Sequence, residues 1–155
     1  MRWTLTDGTI CQIDPEDLAV ARASNWRSTR IANLRYVTRT ARNKDGRQTT
    51  EYLHRVILDV PQGIYVDHID HDGLNNTRSN LRPCSMSENM RNQRRQRRKK
   101  LSRFKGVTRQ GKWWRAQLQL HGKHISLGMY ADEDDAAEAY RKGALKHFGE
   151  FACTT

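Results

Sequence analysis

Residues 66–82 read VDHIDHDGLNNTRSNLR. Three aspartates, two histidines and three asparagines crowd into this stretch, and its flanks say how they are arranged. Ile64 to Ile69 has the make-up of a short strand that ends in Asp67-His68. Asp72-Gly73 marks a turn, Asn80-Leu81-Arg82 returns as a second strand, and Pro83 ends it. Ser85-Met86-Ser87-Glu88 is an S-x-x-E capping pattern, so a helix is expected from Ser85, with Asn89 one turn inside it. The expectation is a hairpin followed by a helix. Asp67 and His68 come from the first strand, Asn80 from the second and Asn89 from the helix.

Those residue types suit one chemistry. A carboxylate (Asp67) and an amide oxygen (Asn89) are hard ligands for Mg²⁺, which takes few protein ligands and keeps several waters. His68, with an ordinary pKa near 6.5, can take a proton from a water that attacks a phosphodiester. Asn80 is the candidate group for orienting its ring. Other readings bear on the same residues. The Asp, Asn and Gly cluster is also what turns are made of. His68-x-Asp70-x-Asp72-Gly73 has the beginning of a calcium loop, but its twelfth position is Ser79 rather than Glu. His54, His68, His71 and Cys84 match no zinc spacing.

Upstream, Thr9–Ile13, Leu34–Arg39 and Thr49–Leu53 read as strands, and Asp14-Pro15 starts a short helix running to Ala23. Trp26 is expected in a small core with Leu18 and Tyr36. Scattered arginines give this region basic character without a run, and its role is either support or added phosphate contact. His71 is expected in solvent.

Downstream, Lys112–Leu120 alternates. Trp114, Ala116, Leu118 and Leu120 share one face, and Trp113, Arg115, Gln117 and Gln119 the other, as in a half-buried antiparallel strand. His121-Gly122 is a turn, Lys123–Leu127 returns, and 104–108 supplies an earlier strand. Asp132–His147 reads as a helix with an acidic first turn, later basic residues and a small-residue stripe. The polar sheet face, with Thr108, Arg115, Gln117, Gln119, His124, Ser126 and Trp113, is either a solvated exterior or a surface able to enter a DNA major groove.

The chain has 28 Lys plus Arg against 17 Asp plus Glu, a net charge of +11. Residues 91–105 hold nine of the basic residues and no acid, whereas the segments on either side are each close to neutral. Such a tract is a solubilising linker, a localisation signal, or a strip lying on a polyanion. Arg94, Arg95, Arg97, Arg98, Lys99 and Lys100 are its candidate DNA contacts. No apolar run approaches the roughly 20 residues of a membrane span. The three cysteines form neither a disulfide framework nor a CxxC site. Met1 to Thr4 lack the apolar stretch of a secretory leader, so a cytoplasmic location is expected.

Two resemblances sharpen this reading. LHRVIL at 53–58, VDHIDHDGLNNTRSNLR at 66–82 and SENMRN at 87–92 resemble HNH homing endonucleases of the phage and intron-encoded branch. The resemblance implies Asp67 and Asn89 as metal ligands, His68 as general base, Asn80 as the residue positioning it, and Mg²⁺ as the ion, with Mn²⁺ the other candidate. KGV at 105–107, GKWWRAQL at 111–118, ISLGMY at 125–130 and EDDAAEAYRKGALKHFGEFA at 133–152 resemble an APETALA2-type DNA-binding domain. That implies three antiparallel strands on one helix, with Arg109, Arg115, Gln117, Gln119, His124 and Ser126 on the DNA-facing side.

The expected fold class is α+β. An HNH part with a ββα-metal arrangement spans 1–92 (scaffold 1–50, motif 51–92), a basic linker 93–103, and an APETALA2-type domain 104–155. The expected function is a metal-dependent endonuclease on double-stranded DNA, without a membrane, nicking as a monomer or cutting both strands as a homodimer. The alternative is a non-catalytic DNA-binding regulator.

Overall fold

The computed structural model describes residues 1–93 and 102–153. The candidate contacts Arg94, Arg95, Arg97, Arg98, Lys99 and Lys100 lie outside the described residues. The chain divides into two compact units, Met1–Met86 and Ser87–Thr155, so the division falls ahead of the boundary expected at residue 92. Among the described residues no helix is long and apolar enough to cross a membrane.

The first unit holds three small sheets. Strands β1 (Arg2–Thr4) and β2 (Ile10–Ile13) pair antiparallel. After a 3-10 turn at Pro15–Asp17 comes helix α1 (Leu18–Arg22), with proline entering the first turn where its missing N–H costs nothing. Then β3 (Arg27–Ile31), β4 (Leu34–Arg42) and β5 (Gln48–Tyr52) form an antiparallel meander. Helix α2 (Leu53–Leu58) follows directly and stops at Asp59, whose φ of 47° is left-handed. Strand β6 (Tyr65–His68) pairs antiparallel with β8 (Leu81–Cys84). Between them the two-residue strand β7 (Asn75–Asn76) pairs parallel with β2 and so stitches the hairpin loop to the N-terminal sheet.

One core serves this unit: Leu5, Cys11, Ile13, Ala21, Trp26, Val37, Leu53, Ile57 and Leu81. Trp26 is fully buried there, as expected, but neither Leu18 nor Tyr36 belongs to that core. The pleat of β4 sends Val37 inward and Tyr36 to the other face. Arg78 adds a polar clamp. Its Nε and Nη2 donate to the buried Asp17 carboxylate at 2.9 and 2.6 Å, its Nη2 also to the Ile57 carbonyl, and its backbone N–H to Asp14 Oδ2 at 2.8 Å. A buried carboxylate is tolerated when it is paired and hydrogen-bonded. Residues 14–17 therefore brace the 3-10 turn that leads into β8.

The second unit begins in helix α3 (Met86–Asn92), which starts directly after Ser85. Strands β9 (Val107–Gln110), β10 (Trp113–Leu120) and β11 (Lys123–Tyr130) form an antiparallel sheet in the order β11-β10-β9. Helix α4 (Glu133–Phe148) packs on it. Asp132 caps α4 by accepting from the Asp134 N–H, and acids fill its first turn, which suits the positive end of the helix. Ala136, Ala137, Tyr140, Ala144 and Phe148 meet Val107, Ala116 and Leu118. In this unit Lys105 Nζ donates to the carbonyls of Arg91 and Gln93, both at 2.6 Å, so a cation closes the C-terminal end of α3.

Gly106 is under double constraint. Its φ is 70°, and a Cβ there would lie 2.1 Å from the Tyr140 ring. Gly106→Ala should destabilise the second unit by about 2–4 kcal/mol, from left-handed strain plus overpacking. Urea unfolding of the full chain, followed by tryptophan emission, checks this.

Candidate active site

The site is built at the end of β6. Asp67 stands opposite Arg82 and His68 opposite Leu81 in the β6–β8 register. Arg82 Nε and Nη2 donate to Asp67 Oδ2 at 2.9 and 2.7 Å, and both side chains are buried. A carboxylate is costly to bury alone, and the guanidinium across the ladder offsets that cost while fixing its orientation. Arg82 was not among the residues the sequence singled out. Its signal was its place on the strand facing Asp67.

His68 is almost wholly enclosed. Its pKa lies below the ordinary imidazole value. Burial is the main cause, and a hydrogen bond with the Asn76 side chain and the charges of Asp70, Asp67 and Asp72 pull the other way. The imidazole is thus neutral at pH 7 and able to accept a proton, as a general base must be. Around it stand residues from three other elements. His54, on α2, lies with its ring 4.9 Å from that of His68, edge-on at 90°. Tyr36, on β4, is 5.8 Å from His68, and Tyr52, at the end of β5, is 5.3 Å from His54. Burial raises the Tyr36 hydroxyl pKa, with help from Tyr52 and Asp67. Tyr36, Tyr52 and Asn76 carried no legible motif, because only the tertiary fold brings them here.

His54 is therefore a wall of the site. Burial, then the neighbouring His68 and Arg55, push its pKa down to about 3, and its Nδ1 is buried with no hydrogen-bond partner among the described residues. Arg55 beside it braces the loop after α2, donating to the carbonyls of Ile64, Val60 and Pro61.

The loop from Ile69 to Ser79 is held by its own side chains. Asn80 is buried and donates to Asp70 Oδ1 and to the Asn75 carbonyl, each at 2.9 Å, while its Oδ1 accepts from the Asp70 N–H at 3.0 Å. Asn80 thus pins the residue two places beyond His68. Asp70 also accepts from the Asp72 N–H and from Asn75 Nδ2. Burial pulls the Asp70 carboxyl up, but the bonds from Asn75, Asp72 and Asn80 together hold it below its usual range. Turn chemistry accounts for Asp70, Asp72 and Asn75. His71 occupies the turn with φ of 65° and is half-buried rather than in open solvent. Gly73 is required for a different reason: a Cβ there would sit 2.2 Å from the Arg35 carbonyl and 2.7 Å from the Tyr36 ring.

Asn89 lies on α3, in the unit that begins at Ser87, and is half-buried. In that same unit the outer sheet face is ordered by register. Arg115 pairs with Thr108 and Met129, Gln117 with Ser126, Gln119 with His124, and Trp113 with Gln110. A bulge between Ala116 and Gln117 keeps these side chains on one face. Trp113 is exposed there, with Lys112 Nζ 5.9 Å from its ring centre. Arg109 is a correction. It pairs with Trp114, so it belongs to the opposite face, and its guanidinium lies 5.3 Å from the Trp114 ring centre.

Comparison with known proteins bears on the first of these sites. Residues 51–91 match the HNH endonuclease family. Over 108 residues the chain is 34% identical to an uncharacterized HNH endonuclease (L560) of Acanthamoeba polyphaga mimivirus, an alignment that covers 68% of this chain and 55% of that protein. The chain thus spans little more than half the length of that relative. No solved structure matches the chain significantly. The matched segment contains Asp67, His68, Asn80 and Asn89, and it is similar to the HNH endonuclease family.

That family works with a divalent ion. Among the described residues no group of three or more His, Cys, Asp or Glu is arranged to hold one. A Mg²⁺ ion that keeps most of its waters needs only one or two protein oxygens. Asp67 and Asn89, the carboxylate and the carboxamide that the resemblance names, are of that hard type and fall in different units.

The histidines set an acid limit on the fold. His54 has an ordinary value of 6.5 when unfolded and about 3 when folded, so its full contribution is present above pH 6.5 and is lost progressively as pH falls toward 3. His68 acts in the same direction. Between pH 6.5 and 5, His54 alone should remove about 2 kcal/mol of stability. Urea midpoints across this range, compared with those of His54→Gln, measure it: the variant's midpoint should fall less steeply with acid.

Proposed function

We propose that the chain is a metal-dependent DNA endonuclease of the homing type, cutting at His68 and reading sequence with its C-terminal sheet. The observation that carries the reading is the enclosed, neutral His68 beside Asp67 at the end of β6, inside the segment that matches HNH endonucleases.

In this reading His68 takes a proton from a water as its oxygen bonds to phosphorus, the phosphodiester P–O bond breaks, and the leaving oxygen takes up a proton from solvent. Asp67 and Asn89 would hold the divalent ion, Mg²⁺ or Mn²⁺. When bound, the ion supplies charge stabilisation at the phosphate and the leaving oxygen. Asn80 serves as a positioning residue through Asp70, since a loop pinned there fixes where β6 ends. His54, Tyr36 and Tyr52 exclude water around the imidazole and keep it uncharged.

The outer face of β9–β11 is the proposed reader. Arginine and glutamine side chains can bond base edges in a major groove, and the rows Arg115–Thr108, Gln117–Ser126 and Gln119–His124 present such groups side by side. Three antiparallel strands with one helix behind them support this reading. The partner is double-stranded DNA, and one catalytic motif per chain makes a nick the act of a monomer and a double-strand break that of two copies.

Supercoiled plasmid incubated with Mg²⁺, Mn²⁺ or EDTA tests the reading. Metal-dependent conversion to open circle is expected, abolished in His68→Ala while DNA binding in a gel shift is retained. Equal loss of binding would refute the role of base. For the reader, the double variant Arg115→Ala/Gln117→Ala should lower discrimination between cleaved and uncleaved sequences by about tenfold or more, the worth of one good base contact. Unchanged site preference in a cleavage-site survey would remove the sheet from recognition.

A further inference from the structure

We propose that the β3–β4–β5 sheet of the first unit is a second DNA surface, laid along the phosphate backbone beside the cleaved bond. The proposal rests on the endonuclease reading for the identity of the polymer, and on three separate observations for the surface.

The first is charge. Residues 27–52 hold seven basic and two acidic side chains, whereas the rest of residues 1–86 holds five basic and eight acidic. The near-neutral sum of the N-terminal region therefore hides a strongly positive sheet on an acidic body. Of the seven, Arg39 pairs with Glu51. Arg27, Arg30, Arg35, Arg42, Lys44 and Arg47 are exposed, and none has a carboxylate partner among the described residues. Unpaired cations gain most beside a polyanion, where bound counterions are released.

The second is register. Cross-strand partners share a face, so Thr29 and Tyr36, then Arg27, Thr38 and Tyr52, then Thr40 and Thr50, then Arg42 and Gln48 form successive rows on one side. The hydrogen bonds Thr29–Thr38 and Arg27–Thr40 run across these rows. No acid stands on this side. Glu51 and Arg39 lie on the other, where Arg39 covers the Trp26 ring at 4.9 Å. Thr38 is itself buried, so the exposed groups of these rows are Arg27, Thr40, Thr50, Arg42 and Gln48, the kinds that bond phosphate and sugar oxygens.

The third is continuity. The same side carries Tyr36 and Tyr52, the rings that touch His68 and His54. From Tyr52 to Gln48 the strand runs about 13 Å, or roughly four base-pair rises of duplex. A duplex whose scissile phosphate meets His68 would have backbone in reach of Arg27 and Arg42.

The test is direct binding by the full chain, carrying His68→Ala so that DNA stays intact. Fluorescence anisotropy of a short labelled duplex of arbitrary sequence is read from about 50 to 200 mM salt. Arg27→Gln/Arg42→Gln should lower the slope of log affinity against log salt by about 1.8, since each lost phosphate contact removes about 0.9. Arg30→Gln/Arg35→Gln removes the same charge from the other face and should leave the slope unchanged. Equal changes from both pairs would show a general charge effect and overturn the surface, as would no change from the first pair. Matching thermal unfolding of both variants confirms that the fold is kept. Binding and cleavage are read separately: if the chain with His68 intact never cuts plasmid while the His68→Ala form shows the face-dependent slope, the endonuclease reading sinks and the surface stands.

Discussion

Burial drives the imidazole of His68 toward its neutral form, and much of the first unit is arranged around that fact. A base must be enclosed enough to stay uncharged at pH 7 and still be held in one orientation. Enclosure comes from Tyr36, Tyr52 and His54, each delivered by a different element. Orientation comes from the loop after β6, where Asn80 and Asp70 bond each other through both backbone and side chain. His54 meets the same constraint from the other side. Were it charged, it would repel a protonated His68 at close range, and its own burial prevents this.

The N-terminal residues follow from the same need. A two-stranded hairpin has little stability alone. Here β6–β8 is tied to the rest by Arg78 on Asp17 and Asp14, by β7 against β2, and by Leu81 in the shared core. The close approach at Gly73 then seats the loop against the backbone of Arg35. Support and surface are thus not alternatives for residues 1–50. Val37 and Trp26 make one side of β4 into core, and the pleat sends Tyr36, Thr38 and Thr40 to the other side.

The hairpin 64–84, helix α4 and the alternation of β10 were legible because their signals are local. An Asp-Gly turn, an acidic first turn and a period of two need no tertiary knowledge, whereas the stop expected at Pro83 is overturned, since β8 runs through Pro83 to Cys84 by pairing with β6. Residues Leu34–Arg42 and Gln48–Tyr52 were partly legible for the same reason. Strand β3 was not, since Arg27-Ser28-Thr29-Arg30 has no apolar alternation and becomes a strand by pairing with β4. Arg109 was set on the wrong face because its strand reaches only from Val107 to Gln110, too short for its own pattern to fix the pleat, and pairing with Trp114 decided it. Tyr36, Tyr52, Asn76 and Arg82 joined the site through contacts between elements, which no spacing along the chain encodes.

Charge shows why an average along the sequence misleads. The first ninety residues sum to nearly nothing, yet residues 27–52 gather seven cations, five on the three strands and two in the turn between β4 and β5, while the hairpin loop and the α1 region gather the acids. The two signs do different work. Asp14, Asp17, Asp67 and Asp70 are each engaged by donors within the fold and are spent on holding it. The exposed arginines of the sheet make no ion pair among the described residues, and their bonds inside the protein are few: Arg27 to Thr40, Arg30 to the Ala32 carbonyl and Arg42 to the Gly46 carbonyl. Exposed side chains that cost entropy to order for one weak bond are poor stabilisers, so the placement of Arg27 and Arg42 on the side that begins at the candidate base supports the proposed phosphate surface, while Arg30 and Arg35 lie on the other face.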